Sequence, residues 1–313
     1  MTTAIAHPNI ALIKYWGKQD RPGNLPASPN LSITLSELCT TTTVQDAERD
    51  EILLNNKAAD DPKIAQFLQI LRNRFALGPI KIESHNNFPT GAGLASSASG
   101  FAALTCALNQ HCDWGLDATE TSGWARQGSA SAARSMQAGF VALVPPQWQA
   151  ECVAPPAHWP LSTVVAITSQ DKKQIDSGHG MELTRQTSPY FKRWVEDSGE
   201  DFAHAQAAIE ARDFDALAAV AEHNCLKMHA LMLTTVPTLA YWNPATVACM
   251  DVVRELRAGG TAAFFTIDAG PQVKVITQPQ YSATVAAALR AVHGVLDVVV
   301  CGMGEGARVV DAA

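Results

Sequence analysis

No two cysteines of this 313-residue chain form a C-x-x-C pair, and the seven thiols (Cys39, Cys106, Cys112, Cys152, Cys225, Cys249, Cys301) have no even, framework-like spacing. That pattern excludes a disulfide scaffold and fits small buried thiols in a reducing compartment. The nine histidines include no H-E-x-x-H or comparable spacing, so no dedicated zinc site is expected. A surplus of positive charge is missing too. The formal net charge of −7 argues against nucleic acid or an acidic membrane surface as the main partner. No apolar run reaches membrane-spanning length, and the first residues lack a basic leader followed by an apolar stretch. The cytoplasm is the expected location. Low-complexity tracts and internal repeats are absent, and mean hydropathy is near zero. What remains is an ordinary globule, long enough for two domains or one large α/β domain.

The first third reads as β-structure. IALIKYW, LSITL, TTTTVQ and EILLNN are short apolar or β-branched runs separated by Pro, Gly, Asn and Asp. DDPKIAQFLQILRNRFAL predicts a helix, with Asp61 as cap, Pro62 in the first turn, and Ile64, Phe67, Leu68 and Leu71 on one face. IKIESHN is a strand that runs into FPTGAGLASSASG, and helical spacing resumes at Phe101, Leu104, Ala107 and Leu108. The passage PPQWQAECVAPPAHWP, between GFVALV and LSTVVAIT, reads as a loop or edge hairpin because of its prolines. After about Asp171 long helical patterns take over, and GGTAAFFTID, QVKVIT and VLDVVVC then supply strands.

Four stretches carry chemistry. FPTGAGLASSASG strips large side chains from the start of a helix. This allows close backbone approach to an anion or, equally, tight packing. It is no Walker A loop, since no G-K-[ST] follows, and its helix offers no carboxylate for a metal through Cys112. NIALIKYWGK crowds Lys14 and Lys18 beside Tyr15, Trp16 and Gly17, as an anion clamp or as snorkelling lysines at a strand end. In ARQGSASAARSMQAGF, Arg134 stands among small residues and hydroxyls, placed to grip a carboxylate or phosphate or simply exposed on a packed helix. Asp268 follows a strand and precedes Ala-Gly-Pro, a position that serves either a turn or catalysis. The glycine-rich CGMGEG is expected as a turn.

In this order NIALIKYWGK, FPTGAGLASSASG, GSASAARSMQAGF and IDAGP resemble the mevalonate diphosphate decarboxylases, members of the GHMP kinase superfamily, and the resemblance covers nearly the whole chain. It implies an α+β two-domain GHMP-kinase fold. A ribosomal-protein-S5-like, ATP-binding N-terminal domain would cover residues 1–170, and a ferredoxin-like C-terminal domain residues 171–313. It also implies a reaction: ATP phosphorylates the C3 hydroxyl of mevalonate 5-diphosphate, and loss of phosphate and CO₂ gives isopentenyl diphosphate. Asp268 matches the family's catalytic aspartate. Lys18 matches a nearby lysine that would hold it ionised, and Arg134 the arginine on the substrate carboxylate. Tyr15, Ser129 and Ser177 match contacts to the substrate diphosphate, and Asn9 a supporting polar residue. Pro89, Gly91, Ala92, Gly93, Leu94, Ala95, Ser96, Ser97 and Ser99 would cradle the phosphates of ATP, with Mg²⁺ riding on those phosphates and on water. A homodimer acting on small molecules is implied, with no nucleic acid or membrane partner. The chain departs from the family pattern at Pro29 and Asn30, at Gly91, and at Gly178 and His179, where Arg and Asp are common. These positions leave open the diphosphate, the monophosphate or another 3-hydroxy acid as substrate, and a related kinase as an alternative. A catalytically silent sensor would have no need of Asp268, Lys18 and Arg134.

Overall fold

Among the residues described by the computed structural model, 1–88, 96–171 and 175–311, the β-branched runs form three sheets. The first contains β1 (Thr2–Ala6), β4 (Thr40–Asp46), β5 (Glu51–Leu54), β6 (Lys57–Ala58), β7 (Ile80–Asn86) and β14 (Arg308–Val310), in the order β14-β1-β4-β7-β5-β6. Only its β5–β7 pair is parallel. The second sheet runs β2 (Asn9–Ile13), β3 (Asn30–Thr34), β8 (Phe140–Leu143), β9 (Ala150–Ala154). The third runs β11 (Ala263–Ile267), β12 (Val273–Thr277), β10 (Ser162–Ile167), β13 (Asp297–Cys301). The Pro- and Trp-rich passage supplies β9, an edge strand on β8, with its prolines outside the ladder.

β14 has no counterpart among the sequence expectations. CGMGEG, expected as a turn, instead continues from β13 through a bridge of Met303 to Leu35 and carries the chain back to the N-terminal half. Gly304 donates its N–H to the Thr34 carbonyl at 2.8 Å, and the residues after it pair with β1. A Cβ at position 304 would lie 1.8 Å from the Leu35 carbonyl oxygen, so this crossing requires glycine.

The helices begin for local reasons. α1 (Pro62–Arg72) is capped by Asp61, whose carboxylate accepts from Lys63 N and Ile64 N at 2.8 and 3.2 Å, and it buries Phe67, Leu68 and Leu71. α2 (Ser96–His111) shares a core with the first sheet, where Ala102, Ala103 and Leu108 join Ala4, Val44 and Ile82. α3 (Ala118–Gly128) starts with a capping box of Asp117 and Glu120. It stops at Ser129, whose extended backbone (φ −152°, ψ 125°) leads into a 3₁₀ turn over Ala130–Met136.

In the C-terminal half come α4 (Ser177–Thr187), α5 (Phe191–Ala211), α6 (Phe214–Leu233), α7 (Pro244–Ala258) and α8 (Ser282–Arg290). Val253 of α7 and Leu289 of α8 share a core with Phe265 and Val275 of the third sheet. On its other side, a single apolar cluster joins Ile276 and Phe264 to Ile209 of α5, Leu217 of α6, and Ile10, Leu12, Leu31 and Ile33 of the second sheet. The second and third sheets are thereby tied through one core. The expected division near residue 170 falls just after β10, whose partners β12 and β13 follow it, while β14 pairs back onto β1. No helix among the described residues is long and apolar enough to cross a membrane.

Candidate active site

β2 and β11 end close together, and their ends build the centre of the site. β2 stops at Ile13, and the next N–H, that of Lys14, donates to Asn224 Oδ1 of α6 at 2.7 Å. Lys14 Nζ then reaches Asp268 Oδ1 at 2.6 Å. Asp268 follows directly after β11, where Ile267 is fixed from α6. Its N–H donates to Cys225 Sγ at 3.1 Å, and its carbonyl lies 3.1 Å from His229 Nε2. From β12, Lys274 Nζ approaches Asp268 Oδ2 at 3.1 Å. Both lysines are buried, whereas the aspartate side chain keeps 27% exposure toward a cleft of about 1280 Å³. Burial alone would push the Asp268 carboxyl pKa up. The attraction of Lys14 and Lys274 outweighs it and holds the group well below the usual carboxylate range.

In the same cleft wall, Arg134 is 2% exposed, and neutral oxygens hold it. Its Nε donates to Asn9 Oδ1 at 3.2 Å and to Ser32 Oγ at 3.0 Å, and its Nη1 donates to Asn30 Oδ1. Both amides are oriented from behind. Asn9 Nδ2 donates to Ser131 O and Ser135 Oγ, and Asn30 Nδ2 to Ser28 O. Among the described residues no hydrogen bond involves Nη2, and Arg134 lines the cleft. Burial lowers its guanidinium pKa to about 10, so it stays charged at neutral pH. A buried cation with no carboxylate in contact is electrostatically suited to a ligand anion.

The resemblance assigns Lys18 to Asp268, but the structure gives that place to Lys14 and Lys274. Lys18 Nζ instead donates to Asn24 Oδ1 at 2.7 Å, and its backbone pairs with Pro26. The physical reason is the turn at Gly17 (φ +114°), which sends residue 18 away from the line of β2. Lys18 still lines the cleft, with its ammonium pKa lowered by burial and by Lys63. Tyr15 lines it as well. Its hydroxyl is buried without a hydrogen-bond partner among the described residues, and burial raises its pKa, so it remains a proton donor.

The expected phosphate loop is only partly visible, because Pro89, Gly91, Ala92, Gly93, Leu94 and Ala95 lie outside the described residues. Ser96 and Ser97 open α2 and line the cleft, and Ser97 Oγ lies 3.4 Å from Ser129 Oγ. Ser99 does not join them. It is fully buried, with its hydroxyl 2.6 Å from Thr40 Oγ1, because two further residues of helix turn it into the core. Ser177, the first residue of α4, is also in the cleft wall.

Among the described lining residues, six are lysine or arginine (Lys14, Lys18, Arg21, Lys57, Lys63, Arg134) and two are aspartate (Asp176, Asp268). In a chain of net charge −7, that local excess selects anionic ligands. No group of three His, Cys, Asp or Glu among the described residues could hold a metal, and both Asp268 oxygens face lysines. Sequence reading missed Lys274, Asn224 and the pairing role of Lys14. The available signal was a lysine amid the apolar run of QVKVIT.

The architecture is that of solved mevalonate diphosphate decarboxylases. The Staphylococcus aureus enzyme matches with a TM-score of 0.91 at 34% identity, over 99% of this chain and 98% of that one. The Enterococcus faecalis enzyme matches with a TM-score of 0.90 at 34% identity, over 99% of both chains. In sequence, residues 6–154 match the diphosphomevalonate decarboxylase-like N-terminal domain, and residues 163–303 the mevalonate 5-diphosphate decarboxylase C-terminal domain. The diphosphomevalonate decarboxylase of Aspergillus fumigatus is 36% identical over 93% of this chain and 80% of its own length. The chain belongs to the diphosphomevalonate decarboxylase family.

Proposed function

We propose that the chain catalyses the ATP-dependent decarboxylation of mevalonate 5-diphosphate to isopentenyl diphosphate, releasing ADP, phosphate and CO₂. The observation that carries this reading is Asp268, a carboxylate with a lysine on each oxygen, set in the wall of a cationic cleft that also holds Arg134. A solved complex of MDDEF with MVAPP, AMPPCP and magnesium, 35% identical to this chain with a TM-score of 0.91, supports the choice of ligands.

In this mechanism Asp268 accepts the proton of the C3 hydroxyl. A carboxylate gripped by two ammonium groups is a weak base, so the proton moves late, after the forming P–O bond has made the hydroxyl acidic. Lys14, which shares the cleft wall, offsets charge on the transferring phosphoryl group. Arg134 holds the substrate carboxylate through its cleft-facing guanidinium edge. The C3–O bond then breaks with phosphate leaving, and the electrons of the bond to the carboxylate carbon form the new double bond as CO₂ departs. Lys18, Tyr15, Ser129 and Ser177 bind the 5-diphosphate, and Asn9 supports Arg134. The opening turn of α2, with Ser96 and Ser97, binds the ATP phosphates. Magnesium would be held by phosphate oxygens and water near those serines and would neutralise phosphate charge.

The test supplies ATP and Mg²⁺ with mevalonate, its 5-phosphate or its 5-diphosphate, and follows ADP and CO₂ separately. Equal amounts of both from the diphosphate are expected. ADP without CO₂, or turnover of the monophosphate in preference, would overturn the assignment. Residues 1–170 and 171–313 are proposed as the ATP-binding and C-terminal units, in a cytoplasmic homodimer. Sedimentation equilibrium is then expected to give twice the 33.4 kDa of one chain.

A further inference from the structure

Lys274 has no solvent exposure, and its strand neighbours Val273, Val275 and Ile276 are equally buried. It lies opposite Thr266 in the β11–β12 register. An ammonium in such a place is destabilising unless it is paired, so an aliphatic residue would serve packing better. It forms an ion pair with Asp268 Oδ2, at 3.1 Å. Lys14 holds the other oxygen from the opposite side, and the two lysines differ in one respect: Lys14 lines the cleft, whereas Lys274 does not.

We propose that Lys274 is a positioning residue: gripping Oδ2 from behind the cleft, it keeps the Asp268 carboxylate charged and aimed while Lys14 shares its ammonium with the transferring phosphoryl group. The catalytic half of this inference rests on the proposed function, and the clamp rests on geometry alone. The other groups facing Asp268 are Arg134 from the 3₁₀ turn and Cys225 and His229 from α6. Burial keeps the thiol protonated and the imidazole neutral, so the lysines and Arg134 are the cations acting on the carboxylate.

The experiment compares wild type with Lys274→Met, measuring ADP release from ATP, Mg²⁺ and mevalonate 5-diphosphate across a pH range. The variant is expected to lose at least roughly tenfold in kcat, to keep KM within about twofold, and to move its acid limb up by about one pH unit or more. The limb rises because losing a cation raises the carboxyl pKa, and activity needs the ionised form. An acid limb that stays in place, whatever happens to kcat, would reduce Lys274 to a structural residue and overturn the proposal. A second comparison covers the case in which Lys274→Met alone fails to fold. Asp268→Asn removes the carboxylate charge that both buried lysines face, so Asp268→Asn/Lys274→Met is expected to melt at a higher temperature than Asp268→Asn. An equal or lower midpoint would remove the clamp. If wild type releases no ADP from any mevalonate derivative, the proposed function fails, and the melting comparison still decides the clamp by itself.

Discussion

Arg134 shows how a buried cation is kept available for a ligand. Asn9, Asn30 and Ser32 give it oxygens to donate to without cancelling its charge. A carboxylate at position 30 would pair with the guanidinium and spend that charge inside the protein. Asn30→Asp is therefore expected to fold, yet to bind mevalonate 5-diphosphate roughly ten- to a hundredfold more weakly, about 1.4–2.8 kcal/mol. Asn30→Ser keeps a neutral acceptor and should stay close to wild type. Calorimetric titration without ATP checks both, and native affinity in Asn30→Asp would take Arg134 off the substrate carboxylate. Geometry is needed as well as charge. Arg134→Lys loses the planar fork, so it is expected to bind ATP normally and turn over far more slowly, as steady-state kinetics would show.

At the scale of an element, the segment after β2 is held by residues that take no part in chemistry. Trp16 is 1% exposed; its Nε1 donates to Thr184 Oγ1 of α4 at 3.0 Å, and its carbonyl accepts from Trp194 Nε1 of α5 at 2.8 Å. Tyr15 and Lys18 flank this anchor. Gly17 makes the turn possible, since its φ of +114° suits glycine and a Cβ there would fall 2.6 Å from the Phe191 ring. Gly17→Ala is expected to destabilise the fold by about 1–3 kcal/mol in urea unfolding and to raise KM for the diphosphate substrate through a displaced Lys18. A native unfolding curve would mean that the turn relaxes without strain. Elements of this kind were legible one at a time: the α1 cap, the α2 face and the β9 edge all follow from local pattern. β14 was not, because three exposed or half-buried residues carry no periodicity, and only β1 gives them a reason to be a strand.

For the whole molecule, the buried polar layer between α6 and the third sheet sets how stability depends on pH. His229 is 3% exposed, and burial lowers its pKa to about 3 from an ordinary 6.5. The folded protein keeps it neutral while the unfolded chain protonates it. Stability is therefore full above about pH 6.5 and is lost as pH falls toward 3, by on the order of a few kcal/mol. Asp268 adds in the same direction. Its contribution is present above the unfolded carboxyl pKa and disappears at still lower pH, as its own depressed value is approached. Urea titrations between pH 4 and 7 should show stability rising with pH in wild type and a flatter rise in His229→Asn. Equal slopes would mean that the folded state also protonates the histidine. The cationic cleft in an acidic protein makes a second expectation. KM for the diphosphate should climb with salt, because screening shortens the reach of charges that are only partly buried.

By itself the sequence determined most of the elements, the family resemblance and some of the residues that line the cleft. Each of these is written in local order: a cap before a helix, an alternation in a strand, a run such as NIALIKYWGK. The partners of those residues were decided by the tertiary structure. Lys14 meets Asp268 across 254 positions of chain, and Lys274 meets it only because β11 and β12 pair in one register. Lys18, close to Lys14 in sequence, was turned away by Gly17, and Ser99 was rotated into the core two residues beyond the cleft. Charge pairing acts over a few ångströms, and which groups come that close is settled by strand register and helix rotation, neither of which a local pattern encodes.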